Sequence, residues 1–188
     1  MGTDKALEEL AGLRLVEHAV AALGVVAKPV LLATGATPRY TELGLDCVLD
    51  GLPKAGPLAG LVAGLAAAQE RGAQALVVSA CDTPRANAVV FRALLERLNA
   101  GSADAVLLRT EDGVEPLIAA YRGTCLEPAR AALAQGRRRM TSFHEGLAID
   151  YVEAAGLDVE SPATNVNTPE ELAAERRYFA ASPKERRA

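Results

Sequence analysis

Short apolar runs alternate with longer amphipathic stretches along most of the chain. The runs have the length of buried strands. They lie at 29–33, 47–49, 76–80, 105–108, 115–121 and 148–152. Because strands that alternate with helices build a mostly parallel sheet, the pattern predicts an α/β fold with helices on both faces of that sheet.

The helical stretches carry their own signals. An i, i+3, i+4, i+7 spacing of apolar residues from Val16 onward gives the first helix a single apolar face. Thr168 and Glu171 have the T-x-x-E spacing of a capping box, which predicts the start of the last helix. No internal repeat or Pro/Ser-rich linker divides the sequence. We therefore expect one domain over residues 1–181 and a charged tail over 182–188.

An acidic residue directly follows the central apolar run. Asp82 comes after the run at 76–80, and Thr83-Pro84 has the pattern of an N-cap and a first helical position. Ligands bind at the carboxyl ends of the strands in an open α/β sheet, so Asp82 is a candidate for holding a divalent metal on the phosphates of a nucleotide. The alternative is a charged residue in a turn. Asp50 ends the preceding strand in the same way.

Three glycines spaced by four residues lie on one face of the helix that begins near residue 56. Gly56, Gly60 and Gly64 leave that face without bulk. Such a face allows either the close approach of a backbone or a flat ligand, or tight packing of the helix on the sheet. The spacing leaves both interpretations open.

Charge and hydropathy exclude two classes of protein. The 188 residues carry a net charge of −4, so we expect no nucleic-acid partner, whose affinity would come from neutralising phosphates. Arg137-Arg138-Arg139 is a local exception, either a solvated loop or an anion site. The longest uncharged apolar runs are too short or too Gly-rich to cross a bilayer, and the first ten residues lack a signal-peptide pattern. We therefore expect a cytoplasmic protein with no membrane partner.

The cysteines do not indicate a metal or disulfide framework. Cys47, Cys81 and Cys125 are odd in number and have no C-x-x-C spacing. Cys81 stands beside Asp82, but no local signature of a cysteine enzyme accompanies it. We interpret Cys81 as a small buried residue at a strand end rather than a nucleophile.

Five segments occur in an order that is specific in combination. They are Met-Gly-x-Asp-Lys-Ala-Leu at 1–7, Gly-Pro-Leu-Ala-Gly-Leu at 56–61, Cys-Asp-Thr-Pro at 81–84, Glu-Pro-Leu and a later Tyr at 115–121, and Asn-Val-Asn-Thr-Pro-Glu-Glu-Leu at 165–172. With these segments the chain resembles the molybdenum cofactor guanylyltransferase family over nearly its whole length. The resemblance implies a Rossmann-like, three-layer nucleotidyltransferase that moves GMP from Mg-GTP to molybdopterin carrying molybdenum and releases pyrophosphate.

The resemblance also implies roles for single residues on the nucleotide side. Lys5 matches the lysine that contacts the GTP phosphates, and Asp82 matches the metal-binding aspartate, so both are candidate catalytic residues. Asp50 matches an acid that contacts the nucleoside part of GTP. Gly56 opens the following segment and is a candidate nucleotide-binding residue.

Two asparagines complete the expected site. By resemblance, Asn167 is a second ligand of Mg²⁺, and Asn165 lies with Asn167 near the pocket for the molybdenum cofactor. The implied partners are GTP and molybdopterin, and beyond them a molybdenum insertion protein and the receiving molybdoenzymes.

The start of the chain departs from the family pattern. Family members open with a strand and a loop of the form Leu-Ala-Gly-Gly-x-Ser-x-Arg-Met-Gly, and this sequence begins at the Met-Gly of that loop. Losing that strand would leave two unpaired strand edges inside the core. One interpretation is that Met1 lies within a longer working enzyme, which we expect. The others are a nucleotide- or cofactor-binding protein without catalysis, and a related cytidylyl- or sugar-phosphate nucleotidyltransferase.

Overall fold

The computed structural model describes residues 4–50 and 56–181, in which helices and strands alternate. The helices are α1 (Leu15–Val26), α2 (Pro57–Glu70), α3 (Ala88–Ala100), α4 (Leu126–Ala134) and α5 (Pro169–Ala180). The strands are β1 (Glu9–Leu10), β2 (Leu13–Arg14), β3 (Leu31–Ala33), β4 (Asp46–Val48), β5 (Ala75–Ser79), β6 (Ala105–Thr110), β7 (Gly113–Arg122) and β8 (Ile149–Glu153). Each apolar run assigned to a strand overlaps one of these strands, and the predicted α/β class is confirmed.

The central sheet has four strands in the order β5-β7-β6-β8. β8 pairs with β6 in parallel, whereas β7 pairs antiparallel with both β5 and β6. Three of the four strands therefore share one direction and β7 runs the opposite way. Only Glu111 and Asp112 separate β6 from β7, and a connection this short joins antiparallel neighbours because a parallel pair needs a crossover.

Helices cover both faces of the sheet, as predicted. Along β6, Ala105 and Leu107 pack on the side of α2 and α4, whereas Val106 and Leu108 pack on the side of α1 and α3. All four side chains are fully buried. Successive side chains of a strand point to opposite faces, so β6 serves two apolar cores at once.

A second, smaller sheet stands beside the first. It consists of β3 and β4, which pair in parallel. Within the described parts of the chain, no backbone hydrogen bond joins β3 to β5. A cleft of about 620 Å³ separates these two strands, and α1 and α2 supply its other walls. The strand edges that face the cleft are therefore open.

The helix after β5 begins later than the sequence predicted. Thr83 and Pro84 were expected to start it, but Thr83 Oγ1 donates to the carbonyl of Ala80 (3.2 Å) and its own carbonyl accepts from Ala86 N (3.0 Å), which closes a turn. α3 instead begins at Ala88, with Asn87 Oδ1 accepting from Val89 N at 2.9 Å. Asn is a stronger N-cap than Thr, and the turn places Asp82 in a loop rather than against a helix end.

The first described residues form a short 3-10 turn at Lys5–Leu7 and then the hairpin of β1 and β2. The hairpin turn uses Ala11 and Gly12 at φ of 50° and 84°, the left-handed geometry of a tight hairpin connection. The first three residues, which open the first motif, and the predicted tail over 182–188 lie outside the described residues. Among the helices of the described parts, none is long and apolar enough to span a bilayer.

Candidate active site

Three of the predicted site residues meet at one end of the cleft. Lys5 Nζ donates to Asp82 Oδ2 at 2.8 Å and to Asn167 Oδ1 at 2.6 Å. The Lys5 and Asp82 side chains are 28% and 24% exposed, so the ion pair is accessible from solvent but largely covered by protein. These residues come from the beginning, middle and end of the chain, and only the fold brings them together.

The loop after β5 fixes Asp82. The carbonyl of Asp82 accepts from Val166 N at 2.8 Å, which ties this loop to the segment before α5. Arg85 donates two hydrogen bonds to Glu175 of α5, at 2.8 and 2.7 Å, and its guanidinium stacks 3.5 Å from the ring centroid of Tyr178. α5 and the segment before it therefore hold the loop that carries Asp82 in place.

Asn167 is held by the start of α5. Thr168 Oγ1 accepts from Glu171 N, and Glu171 Oε2 accepts from Thr168 N at 2.9 Å, so the predicted capping box is present. The same Glu171 oxygen accepts from Asn167 N at 2.6 Å. Backbone and cap together leave the Asn167 side chain free to face Lys5.

Asp50 and Gly56 line the same cleft as Lys5 and Asp82. Asp50 follows β4, and its N–H donates to the carbonyl of Gly35 at 3.1 Å. Gly56 caps α2 with φ of +77°, a conformation that side chains rarely adopt, and Pro57 occupies the first turn. The start of α2 thus borders the cleft, and the positive end of the helix dipole favours an anion there.

Asn165 is placed differently from the other predicted residues. It is exposed, and its Nδ2 donates to the carbonyl of Ala163 at 3.3 Å. It lies two residues from Asn167 in sequence, but no hydrogen bond joins it to Lys5, Asp82 or Asn167 among the contacts of the described residues. Its expected place near the acceptor pocket stays a prediction.

The glycine face of α2 has a packing role. A Cβ on Gly60 would lie 3.3 Å from Cβ of Ala33, and a Cβ on Gly64 would lie 3.0 Å from Cδ2 of Leu76. These distances are shorter than ordinary contacts, so α2 approaches β3 and β5 only because these positions carry no side chain. Tight helix-to-sheet packing, one of the two interpretations left open by the spacing, is present at Gly60 and Gly64, and both glycines also line the cleft.

Burial and the negative charge of Asp82 raise the pKa of two neighbouring side chains, Cys81 and Glu115. Burial, and then the Asp82 charge, raises the pKa of the Cys81 thiol, so the thiol stays protonated at neutral pH and is unsuited to nucleophilic attack. Burial, with the charges of Asp112 and Asp82, also raises the pKa of Glu115 on β7. The Lys5 ammonium is the positive group that directly contacts the Asp82 carboxylate.

The oxygen atoms around Lys5 Nζ suit a magnesium ion. Carboxylate and amide oxygens are hard ligands, and Asp82 Oδ2 and Asn167 Oδ1 already converge on one cationic group. Across residues 4–50 and 56–181, no cluster of three or more His, Cys, Asp or Glu side chains could hold a metal. A Mg²⁺ ion at this position would therefore take its other ligands from water or from substrate phosphates.

Asp4, Arg39 and Tyr40 are not among the site residues predicted from the sequence. The Asp4 carboxylate precedes Lys5 and accepts from Tyr40 Oη at 2.7 Å and from the Arg39 guanidinium. All three residues line the cleft. Arg39 and Tyr40 lie in the connection between β3 and β4 with no motif around them, so the sequence offers no signal that they approach Lys5.

Comparison with known proteins identifies the family. A family model described as a MobA-like NTP transferase domain matches residues 1–148, well over half of the chain. The chain belongs to this family. A molybdenum cofactor guanylyltransferase of Cereibacter sphaeroides is 34% identical over 174 residues, covering 92% of this chain and 86% of the relative. The resemblance inferred from the five segments is confirmed, and the family is one of nucleotidyltransferases.

Solved structures agree with this assignment. The molybdopterin-guanine dinucleotide biosynthesis protein A of Archaeoglobus fulgidus superposes with a TM-score of 0.75 and 26% identity, covering 95% of this chain and 92% of that one. The 2-C-methyl-D-erythritol 4-phosphate cytidylyltransferase of Thermus thermophilus gives a TM-score of 0.70 at 18% identity over 94% of each chain, a likeness in fold. Both comparisons confirm the predicted fold, the Rossmann-like architecture of nucleotidyltransferases.

Proposed function

We propose that this chain transfers GMP from Mg-GTP to the phosphate of molybdopterin carrying molybdenum. The observation that carries the proposal is the meeting of one ammonium, one carboxylate and one amide oxygen at the mouth of the cleft. A relative that is 34% identical over most of its length bears the name molybdenum cofactor guanylyltransferase. Among the described residues of the cleft, the Cys81 thiol is held protonated and is no activated nucleophile, which agrees with attack by the acceptor phosphate itself.

The chemistry requires positioning and charge compensation rather than a covalent intermediate. An oxygen of the acceptor phosphate forms a bond to the α-phosphorus of GTP, and the bond from that phosphorus to the oxygen bridging the β-phosphate breaks. The bridging oxygen leaves with the electron pair as pyrophosphate. The protein brings two anions together and offsets the charge that grows on the leaving oxygens.

Each residue has a role in that scheme. Asp82 and Asn167 would hold Mg²⁺, which would neutralise phosphate charge. Lys5 moves onto the phosphates and stabilises the leaving pyrophosphate. Asp50 and Gly56 line the cleft, and we assign both to binding of the nucleotide, with Asp50 on its nucleoside part.

Asn165 is assigned to the acceptor side. The assignment rests on its exposure and on its position two residues before Asn167, in the segment that precedes α5. Together the two asparagines would border the molybdenum cofactor as it approaches the α-phosphorus.

The test is transfer of GMP to molybdopterin by wild type and by Asp82→Ala and Lys5→Ala. Both variants should lose turnover by at least about a hundredfold, the scale of removing a group that stabilises transition-state charge, and both should keep the far-ultraviolet circular dichroism spectrum. Lys28→Ala is the matched control, since Lys28 is exposed and does not line the cleft. Full activity in either site variant would overturn the assignment.

The same assay with CTP in place of GTP distinguishes a cytidylyltransferase. A preference for CTP over GTP would identify the activity as cytidylyl transfer. Tight binding of Mg-GTP without any product would indicate a nucleotide-binding protein without catalysis.

A further inference from the structure

The carboxylate next to Lys5 receives three donors from two parts of the chain. Asp4 Oδ2 accepts from Tyr40 Oη at 2.7 Å and from the Arg39 guanidinium, and Asp4 Oδ1 accepts from Ala6 N at 3.3 Å. The Arg39 guanidinium also lies 5.0 Å from the centroid of the Tyr40 ring. The connection between β3 and β4 is thereby fastened to the turn that begins with Lys5.

The environment of Asp4 favours the ionised form of its side chain. Burial acts to raise the pKa of Asp4, but the hydrogen bonds from Tyr40, Ala6 and Arg39 outweigh it and hold the pKa below the ordinary value of 3.8. Burial and the Asp4 charge raise the pKa of Tyr40, so its hydroxyl stays a donor. The contact therefore persists through the neutral range.

Tyr40 adopts a costly backbone conformation to make this contact. Its φ of +58° lies in the left-handed region, which disfavours a bulky side chain. Its ring packs with the small apolar cluster of Ala6, Val16 and Leu32. The surrounding structure holds Tyr40 where its hydroxyl reaches Asp4.

Asp4 in turn determines the position of the Lys5 backbone. The Asp4 carbonyl accepts from Leu7 N at 3.0 Å, the Asp4 side chain caps the turn, and Ala6 anchors the turn with only 4% of its surface exposed. A lysine side chain has a flexible four-carbon stem, so the place of its ammonium depends on where the backbone is fixed.

We propose that Asp4, held by Tyr40 and Arg39, is a positioning residue that fixes the turn from which Lys5 reaches Asp82, Asn167 and the substrate phosphates. The proposal deepens the proposed function, on which its catalytic consequence rests. It assigns no contact with substrate to Asp4 or Tyr40; both act through Lys5.

The test compares Tyr40→Phe and Asp4→Asn with Tyr151→Phe. The Phe variant keeps the ring in the apolar cluster and removes only the donor to Asp4, and Asn keeps a capping oxygen but no charge. Tyr151 lies on β8, away from the cleft, and is the control for loss of a tyrosine hydroxyl. We expect kcat to fall by about tenfold in both site variants with KM for GTP changed less than about twofold, because a small displacement of a catalytic group costs rate more than binding.

A second measurement shows whether the effect passes through Lys5. In a Lys5→Met background, Tyr40→Phe should lower kcat no further. An additional loss equal to that in wild type would overturn the proposal, as would unchanged kcat in both single variants.

A third measurement does not depend on activity. The chain has four lysines, so a lysine-selective ¹⁵N spectrum of the Nζ groups resolves Lys5, assigned by Lys5→Met. The Lys5 signal should shift in Tyr40→Phe and Asp4→Asn and stay unchanged in Tyr151→Phe. If the wild type has no transferase activity but the shift appears, the proposed function fails and the positioning stands. If the Lys5 signal keeps its wild-type position in both site variants, the positioning is overturned.

Discussion

Lys5 and a metal ion compete for the same two oxygen atoms, which leads to an unusual prediction for Lys5→Met. The Lys5 ammonium occupies the point on which Asp82 Oδ2 and Asn167 Oδ1 converge. A Mg²⁺ or Mn²⁺ ion that enters alone must break both hydrogen bonds. Removing the ammonium should therefore strengthen metal binding in the absence of nucleotide, although it lowers turnover by at least about a hundredfold.

The size of the effect follows from the geometry of the pair. Hydrogen bonds to charged groups contribute about 1.5–3 kcal/mol net, and the lower end applies because solvent screens a pair that is about a quarter exposed. A value of about 1.5 kcal/mol corresponds to about tenfold in affinity. We expect Lys5→Met to bind Mn²⁺ about tenfold more tightly than wild type, and Mg-GTP more weakly because the phosphates lose their ammonium partner.

Isothermal titration calorimetry with Mn²⁺ alone, and then with Mg-GTP, measures both effects. Lys28→Met removes the same charge from an exposed position and should leave metal binding unchanged. Adding Asp82→Asn to Lys5→Met should abolish the gain. Metal binding by Lys5→Met that equals or falls below that of wild type would refute the competition between ammonium and metal.

Two further predictions concern stability. Glu175→Ala leaves the largely buried Arg85 charge without its carboxylate and should lower the free energy of unfolding by about 3 kcal/mol in urea titrations. Replacing Arg85 and Glu175 together by Met should lower it much less. Equal losses in the two variants would contradict this prediction. The hydrogen bonds from Thr124 and Ala148 N lower the pKa of Asp104, so its stabilisation is present above the ordinary value of 3.8 and is lost as pH falls through the lower folded value. Asp104→Asn should therefore reduce stability by about 1 kcal/mol at neutral pH, and the curves of the two proteins against pH should converge in acid; a constant gap would contradict the assignment.

The sequence was a reliable guide where the signal is local. The capping box of Thr168 and Glu171 is present because the cap needs only residues three apart. The same local logic misplaced the start of α3, since Asn87 competes successfully with Thr83 for the cap and the intervening residues form a turn. The loop around the two candidate caps also contacts α5 and the segment before it, through Asp82 O and Arg85, and the local sequence does not show those contacts.

The direction of β7 and the set of residues that meet at the site become clear only in the folded structure. An apolar run has the same period in either direction, and only the two-residue connection between β6 and β7 reveals that β7 runs antiparallel. Lys5, Asp82 and Asn167 were linked by family resemblance, because no spacing rule relates residues this far apart. Tyr40 lies in none of the segments that resemble the family, and its link to the site is visible only in its contact with Asp4.

The dependence of Asp82 on α5 has a consequence for synthesis. A chain made from its amino end contains Lys5 and Asp82 long before it contains Val166, Asn167 and Glu175, which hold the Asp82 loop and complete the oxygen pair. Nascent chains that end before α5 would carry the lysine and the aspartate without these contacts. The site therefore cannot be complete until α5 has been synthesised and has packed against the loop that carries Asp82.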